Sequence, residues 1–284
     1  MITIIIPAYE EEGIIGESLT HLLRSEEPEG ADHDHPVEVI VVPNGCTDGT
    51  AKEARAMAPG FAARGWRFQV IERERGSKTA ALNAGIAAAS NPRLMFMDAD
   101  VHVSPGLVAA LARAVDRPAP TYAGGQFRIR PARSLASRLY ARFWPRLPFM
   151  AQGVPGCGVA AVNAAGRARW VRIPELTSDD IFIRNHFAPE ERVGVPDTYS
   201  WPIAEGFGAL VRVRRRQNRG LAELGEKRPD LVRNAGRTAP GAGATLLLFL
   251  RDPAGFLAYA AVALAVKTPL YRLRGRWDRD RGAR

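Results

Sequence analysis

The sequence predicts an α/β fold in which a mostly parallel, Rossmann-like sheet is flanked by helices. One observation is a set of four apolar, β-branched runs within the first hundred residues. A second is that a helical pattern separates each run from the next, which is typical of βαβ units and a parallel sheet. The four runs are ITIII (2–6), VEVIVV (37–42), FQVI (68–71) and LMFM (94–97).

Helices are predicted over residues 13–24, 48–58 and 78–89, between successive strands. Apolar residues recur on one face of the first stretch, and Thr47 or Asp48 is placed to cap the second. Farther along, PGCGVAAVNAAG (155–166) predicts a tight turn followed by a buried segment.

The net charge of +9 is confined to the end of the sequence, since residues 205–284 carry 17 basic and 7 acidic side chains. Two cysteines offer neither a disulfide framework nor metal-ligand spacing, which favours a reducing compartment. The first residues lack a basic segment ahead of an apolar one, so we expect no signal peptide and a cytoplasmic protein.

A polar loop follows each of the four predicted strands. Because the carboxyl ends of parallel strands meet at one edge of a sheet, these loops should form one site. Their content predicts a polar, phosphorylated ligand. The loops are PAYEEEG (7–13), PNGCTDGT (43–50), ERERGSKTAALNAG (72–85) and DADV (98–101).

Asp98 and Asp100 follow the buried strand LMFM. Two carboxylates one residue apart can share Mn²⁺ or Mg²⁺ with the phosphates of a diphosphate, since hard cations prefer oxygen ligands. Taken alone, the pair would favour the alternative of a solvated acidic turn, because acidic turns are common. His102 lies nearby in the sequence and is expected to have a surface or packing role.

Four motifs, IIIPAYEEE, VVPNGCTDGT, GSKTAALNAGI and MDAD, occur in the order and spacing of the inverting family 2 glycosyltransferases of GT-A fold. The chain resembles that family specifically over residues 2–103 and more loosely over 104–220. The resemblance implies a nucleotide-diphosphate sugar donor, a divalent metal, a hydroxyl acceptor and one displacement that inverts the anomeric carbon.

The resemblance also implies a nucleoside pocket lined by Pro7, Ala8, Tyr9 and Glu10, with Glu10 reaching the ribose hydroxyls. Asn44 stands where the family normally has an aspartate that reads the base. The base therefore stays open between uracil and guanine, with uridine favoured by its frequency in the family.

Lys78 and Asn83 match the third motif and are expected near the base and phosphates. By the same resemblance, Asp98 would meet the ribose or the metal, and Asp100 would meet the metal directly. The turn 156–158, comprising Gly156, Cys157 and Gly158, would lie near the donor sugar and acceptor, with Cys157 as a small buried residue.

An inverting reaction needs a general base for the acceptor hydroxyl. The family places an acidic pair at a helix start for this purpose, and TSDDIFIR fits that pattern, with Thr177 or Ser178 as the cap. The resemblance implies Asp180 as the base and Asp179 as the second choice. The alternative is that both residues only favour the helix N-terminus.

The basic run RRRQNRG places Arg216, Gln217 and Arg219 where the family stabilises the leaving diphosphate. The tryptophan of the processive enzymes is missing, so the addition of a single sugar is expected. A solvated basic face is the alternative for each of these side chains.

Two apolar runs, 244–250 and 254–266, are too short to span a bilayer and are separated by Arg251 and Asp252. Together with the basic residues that follow, they predict peripheral attachment to the anionic inner face of the cell membrane, and a lipid-linked or cell-envelope acceptor. Two core helices with a solvated tail are the alternative. The basic residues are Lys267, Arg272, Arg274, Arg276, Arg279, Arg281 and Arg284.

The resulting division has a donor-binding half (1–125), an acceptor and base half (126–220) and a C-terminal helical extension (221–284). A nucleotidyltransferase is one rival, although the acidic PAYEEEG replaces the glycine-rich basic loop that such an enzyme needs after its first strand. A basic nucleic-acid-binding protein is another. The basic end lacks interleaved stacking aromatics, so we expect no nucleic-acid partner.

Overall fold

A computed structural model of the chain describes residues 1–28, 37–152, 154–236 and 240–269. The predicted basic tail therefore lies outside the described residues from position 270 onwards. Within the described part, the predicted α/β fold with flanking helices and a helical C-terminal extension is confirmed.

Among the described residues, eight strands form one sheet in the order β3-β2-β1-β4-β7-β6-β8-β5. The four strands predicted from the sequence are its parallel part, in which Ile5 of the first strand pairs with Ile40 and with Phe96. The next strand, β7, runs antiparallel to β4. The bounds are β1 Ile2–Ala8, β2 Val37–Pro43, β3 Arg67–Val70, β4 Leu94–Met97, β5 His102–Val103, β6 Tyr122–Ile129, β7 Val159–Val162 and β8 Arg192–Trp201.

The helices lie between and after these strands. Their bounds are α1 Ile15–Leu23, α2 Thr50–Ala56, α3 Ala58–Ala63, α4 Lys78–Ala88, α5 Leu107–Ala114, α6 Leu135–Phe143, α7 Pro148–Gln152, α8 Ala164–Arg167, α9 Asp179–Asn185, α10 Phe207–Lys227, α11 Pro229–Val232, α12 Ala242–Arg251 and α13 Pro253–Ala265. Short 3₁₀ turns occupy Trp144–Arg146 and Pro189–Glu191.

The predicted helix 48–58 is where the structure departs most from the helical pattern. It begins at Thr50 with Gly49 at the N-cap, and a second helix follows with a proline in its first turn. The prediction that Thr47 or Asp48 caps this helix is wrong. Asp48 instead accepts the Thr50 backbone N–H at 3.0 Å and so fixes the turn that precedes the helix.

Both faces of β1, β2 and β4 are buried, which explains why these strands are mostly apolar rather than alternating. Ile4 and Ile6 pack in one core with Leu19 of α1, whereas Ile40 packs in a second cluster with Ala81 of α4. Helix α4 lies so close to β1 that a Cβ on Gly85 would come within 2.4 Å of Ile5 Cγ2. The loops at the carboxyl ends of these strands therefore project from a rigid base.

The described residues form two compact units. The first contains Met1–Arg128, Gly156–Glu175 and His186–Trp201, and thus nearly the whole sheet. The second contains Ile129–Pro155, Leu176–Asn185 and the described part of Pro202–Arg284. The predicted boundary at 125/126 lies close to the point where the first unit gives way to the second, between Arg128 and Ile129. The three-part organisation stays a prediction.

In the second unit, α13 packs against α6 through aromatic side chains. The rings of Tyr140 and Tyr259 lie 5.5 Å apart, and those of Phe143 and Phe256 lie 5.6 Å apart. Asp252 accepts two hydrogen bonds from Arg142 and accepts the Gly255 N–H, so it also caps α13. These contacts tie the second apolar run to the protein.

Helix α12, which contains the first apolar run, has a different environment. In the part of the chain that the structure describes, none of its side chains is buried, and Leu246 and Leu250 are 58% and 65% exposed. Among the described residues, no helix combines the length and the apolar character needed to cross a bilayer.

Candidate functional site

The loop after β1 is fastened to the loop after β2 through Glu10. One carboxylate oxygen of Glu10 accepts the Thr47 backbone N–H at 2.7 Å and the Thr47 hydroxyl at 3.1 Å. Glu10 has a φ of 54°, a left-handed conformation that is unusual for a residue with a side chain. Its predicted contact with the ribose stays a prediction, and the structure shows how its carboxylate is positioned.

Asn44 is buried and links three loops. Its amide N–H donates to the Ala8 carbonyl oxygen at 2.7 Å, and its amide oxygen accepts the Ser77 backbone N–H at 2.8 Å. A carboxylate could not make the first of these bonds, because it has no N–H to donate. The hydrogen bonds to Ala8 and Ser77 thus explain why an asparagine suits this position. Base recognition by its side chain stays a prediction.

Gly45 lets the backbones of two of these loops approach closely. Gly45 has a φ of 68°, and a Cβ there would lie 2.5 Å from the Gly76 nitrogen. Gly76 in turn faces the Tyr9 ring, which would lie 3.6 Å from a Cβ at that position. Pro7 and Ala8 are buried in the strand itself, and Ala8 contributes its carbonyl group to Asn44.

Lys78 and Asp98 form the charged centre of this edge. Lys78 is the first residue of α4, which Ser77 caps, and its Nζ lies 2.8 Å from Asp98 Oδ1. Both side chains are partly exposed. A cation and a carboxylate predicted from separate motifs are therefore brought together by the fold.

Asp98 and Asp100 flank the buried Ala99, and both aspartates remain partly exposed. The Asp98 backbone N–H donates to the Gly158 carbonyl oxygen at 2.8 Å, which fixes the start of the turn. The two side chains offer partly exposed carboxylate oxygens as ligand atoms, and such ligands fit Mn²⁺ or Mg²⁺.

The turn at Gly156–Gly158 borders Asp98. Both glycines have positive φ values, 65° and 81°, and a Cβ on Gly156 would lie 1.6 Å from the Tyr122 hydroxyl. The Tyr199 hydroxyl donates to the Cys157 carbonyl oxygen at 2.6 Å. The predicted tight turn is confirmed, but Cys157 is partly exposed rather than buried, because it lies in the turn ahead of the buried strand β7.

Asn83 has a partner away from the charged centre. Its carboxamide donates to the Ile173 carbonyl oxygen at 2.7 Å and accepts the Ile173 N–H at 2.9 Å. This pair of bonds ties α4 to the segment after α8. A role for Asn83 at the base or phosphates stays a prediction.

The predicted acidic pair opens helix α9 in the second unit. The helix begins at Asp179, and the Ser178 carbonyl oxygen accepts the Phe182 N–H at 3.1 Å, so Ser178 occupies the cap position. Asp179 is buried, whereas Asp180 is partly exposed and accepts the Ile181 N–H at 2.8 Å. Of the two, Asp180 has the carboxylate that a second molecule can reach.

Glu223 of α10, which the sequence motifs do not single out, anchors the segment just before this pair. One of its oxygens accepts the Thr177 N–H at 2.9 Å, and the other lies 2.8 Å from Lys227 Nζ. Burial opposes ionisation, but the hydrogen bonds from Lys227 and Thr177 outweigh it and lower the pKa of Glu223 to about 2. The Glu-to-Lys spacing of four residues was the available signal.

The predicted basic run lies on α10. Arg214 donates to the Tyr259 hydroxyl at 3.0 Å, and Arg215 donates to the Ala265 carbonyl oxygen at 2.9 Å, so these two cations bind α13. The predicted binding residues are Arg216 and Gln217, which are partly exposed, and Arg219, which is exposed.

Several solved structures share the fold. TarS from S. aureus (residues 1–349, complex with UDP) has a TM-score of 0.52 and 14% identity, and the match covers 76% of this chain and 63% of that one. The mannosyltransferase PcManGT from Pyrobaculum calidifontis, in complex with GDP-Man and Mn²⁺, has a TM-score of 0.60 and 20% identity, with coverage of 95% and 76%.

Glucosyl-3-phosphoglycerate synthase from Mycobacterium tuberculosis, in complex with Mn²⁺, UDP and phosphoglyceric acid, has a TM-score of 0.52 and 20% identity, with coverage of 86% and 80%. At these identities the likeness concerns the fold alone. This chain spans about 63% of the TarS fragment that it matches. No curated protein matches the sequence significantly.

The family is shown by the sequence itself. Residues 3–171 match the profile described as "Glycosyl transferase family 2", which is more than half of the chain. The matched range begins at β1 and includes Lys78, Asp98, Asp100 and the turn at Gly156–Gly158. The chain therefore belongs to glycosyl transferase family 2.

Proposed function

We propose that this protein transfers one sugar from a nucleotide-diphosphate donor to a hydroxyl acceptor, with inversion at the anomeric carbon. The observation that carries the proposal is the contact between Lys78 and Asp98 beside Asp100, at the carboxyl ends of parallel strands. Ligands of open α/β sheets bind at that edge. The nucleotides named for TarS, PcManGT and the synthase support a UDP- or GDP-sugar, and we propose uridine.

Asp98 and Asp100 would hold Mn²⁺ or Mg²⁺ in this proposal. The bound cation would offset the negative charge of the diphosphate when it leaves. The Lys78 Nζ forms an ion pair with the Oδ1 atom of Asp98 and adds a positive charge at the same edge. Electrostatic stabilisation of this kind needs no rearrangement during the reaction, because the charged groups are already in place.

Asp180 is our proposed general base, and Asp179 is the second choice. Its carboxylate would take the proton of the acceptor hydroxyl as that oxygen attacks the sugar. Asp180 lies in the first turn of α9. The partial exposure of Asp180 and the anchoring of Thr177 by Glu223 support this choice.

Arg216, Gln217 and Arg219 are proposed to bind the leaving diphosphate. They are partly or fully exposed on α10, whereas Arg214 and Arg215 of the same run bind α13. With no tryptophan after the run, we propose the addition of a single sugar rather than polymer synthesis.

The test is a calorimetric titration of UDP and of GDP into the protein, with Mn²⁺ and with EDTA. Metal-dependent binding of one nucleotide, lost in Asp100→Ala and weakened in Lys78→Ala, is expected. Asp116→Ala and Lys52→Ala are matched controls, because both residues are exposed and lie outside the proposed site. Failure of both nucleotides to bind with Mn²⁺ would overturn the proposal.

We also propose that the acceptor is lipid-linked, serves the cell envelope or an exopolysaccharide, and is used at the inner face of the cell membrane. The support is helix α12, whose leucines are exposed beside Arg251, followed by Lys267 and the basic tail. Apolar side chains beside cations suit an anionic lipid surface.

Co-sedimentation with vesicles tests this location. Vesicles rich in anionic lipid should bind the protein more tightly than neutral ones, and binding should weaken at high salt. Replacing Leu246, Leu247 and Leu250 with serine should reduce it, whereas Leu221→Ser, an exposed leucine on α10, should not. Equal binding by the α12 variant and the wild type would exclude this helix as the contact.

A further inference from the structure

Two histidines and a glutamate converge on the face of the sheet covered by α1. The rings of His21 and His102 are stacked, with centroids 4.3 Å apart and planes within 9° of parallel. Glu17 Oε2 lies 3.9 Å from His102 Nε2. One ligand atom from each residue can be chosen so that all three lie within 4.8 Å of one another.

The fold holds these residues together independently of the family motifs. Glu17 and His21 are four residues apart on α1, so they share a face of the helix. His102 comes from β5 and is 8% exposed. The Ser18 hydroxyl donates to the Val101 carbonyl oxygen at 2.6 Å in the buried interface, which fixes α1 against the start of that strand.

We propose that Glu17, His21 and His102 form a second metal site, specific for Zn²⁺ or a similar transition-metal ion. Two imidazoles and one carboxylate are an established zinc ligand set, with a fourth position open to water. Ligand atoms around a tetrahedral zinc ion lie about 3.3 Å apart, given bonds of about 2.0 Å. The three ligand atoms lie within 4.8 Å of one another, so a small inward movement of Glu17, which is mostly exposed, and of His21 would bring them to that spacing. Because the two imidazole planes are nearly parallel, the His21 ring would also have to rotate so that both nitrogens point at the ion.

The ligand atoms of this site differ from those of the proposed donor site, the edge of the sheet that carries Lys78, Asp98 and Asp100 (here called the donor edge). Asp98 and Asp100 offer oxygen alone, which suits Mg²⁺ and Mn²⁺, whereas imidazole nitrogen favours Zn²⁺ and related ions. The site is structural in this proposal. By joining α1 to β5, the bound ion would stabilise the segment that follows Asp100 in the chain.

The test is a Zn²⁺ titration by calorimetry, with Co²⁺ absorption as a spectroscopic probe, on the Asp100→Ala protein so that the donor edge does not contribute. One equivalent of Zn²⁺ should bind, and Co²⁺ should give the intense visible bands of a tetrahedral site. Zn²⁺ but not Mg²⁺ should raise the melting temperature.

Three further variants decide the result. His21→Asn and Glu17→Gln should each weaken Zn²⁺ binding at least tenfold, and Glu17→Gln changes only an exposed side chain, so folding is not at risk. His186→Asn is the matched control, since His186 is as buried as His102 but lies outside the cluster. Zn²⁺ affinity that is unchanged in His21→Asn, or equally lost in His186→Asn, would overturn the proposal.

Discussion

Two pairs of aspartates carry the proposed chemistry, and they differ in what holds them. Asp98 lies at the end of a strand, with a lysine Nζ on its carboxylate and a glycine carbonyl on its backbone N–H. Asp180 lies in the first turn of a helix and accepts a backbone N–H from the next residue. At the first pair, the lysine supplies the positive charge that would attract a diphosphate, and the carboxylate oxygens would bind the metal. At the second pair, Asp180 offers a partly exposed carboxylate that could accept a proton.

Near each pair, one buried or partly buried side chain fixes the neighbouring backbone by hydrogen bonds. Asn44 joins the loops around the donor edge, and Glu223 holds the segment before α9. We therefore expect mutations in the two aspartate pairs to change different quantities, kcat for one and nucleotide affinity for the other. Mutations of Asn44 and Glu223 should mainly change stability.

The largest effect is expected for Asp180→Asn. Loss of a general base should lower kcat by about 10²- to 10⁴-fold. Nucleotide affinity with Mn²⁺ should stay within twofold of wild type, because the amide removes the proton acceptor and leaves the donor edge intact. Steady-state kinetics and calorimetry on the same preparation measure both quantities.

If Asp180→Asn instead lost nucleotide affinity and retained kcat, Asp180 would act in nucleotide binding and the two acidic pairs would not have separate roles. Asp179→Asn serves as the comparison variant within the pair. If it alone abolished turnover, the base would have to be reassigned from Asp180 to Asp179.

A smaller effect is expected for Asn44→Asp. The new carboxylate cannot donate to the Ala8 carbonyl oxygen. That oxygen still accepts the Asn44 backbone N–H at 2.9 Å, but it loses the side-chain bond and faces a buried negative charge. We expect about 1–3 kcal/mol of lost stability together with weaker nucleotide binding. Chemical denaturation gives the first quantity and calorimetry gives the second.

Asn44→Ala sharpens this prediction because it removes both hydrogen bonds without adding charge. It should destabilise the protein less than Asn44→Asp. Full nucleotide affinity and stability in Asn44→Asp would contradict the structural role assigned to this amide.

The smallest effect is expected for Glu223→Gln, at about 1 kcal/mol of stability for one weakened hydrogen bond. The pKa of Glu223 is lowered from 4.5 to about 2, so between these values the unfolded chain binds more protons than the folded one. The stabilisation from this carboxylate is complete above about pH 4.5 and is lost as the pH falls towards 2.

Melting temperatures measured from pH 5 down to pH 2 should therefore fall less steeply for Glu223→Gln than for the wild type. Glu226→Gln, an exposed neighbour on the same helix, is the control and should follow the wild-type curve. Identical slopes for Glu223→Gln and the wild type would mean that the ionised form of Glu223 contributes nothing to stability over this pH range.

The strands β1 to β4 and helix α4 could be predicted because their patterns are local. Each strand lies on a short, mostly apolar run, and Ser77 caps α4 just ahead of a lysine and a threonine. The strands β5, β6 and β8 escaped prediction, since pairs such as His102 with Ser200 join residues far apart in the chain. Their sequences carry less periodicity, and their pairing depends on contacts that no short window contains.

The family, the residues Lys78, Asp98 and Asp100 of the proposed donor site, and the helix start at Asp179 could be read from the sequence itself, because each depends on residue type and spacing within a short stretch. Only the tertiary structure decided that Asn44 joins three loops, that Glu223 anchors Thr177, and that His21 stacks on His102. The physical reason is that these contacts join segments brought together by packing, and neither spacing nor composition specifies a partner at that distance.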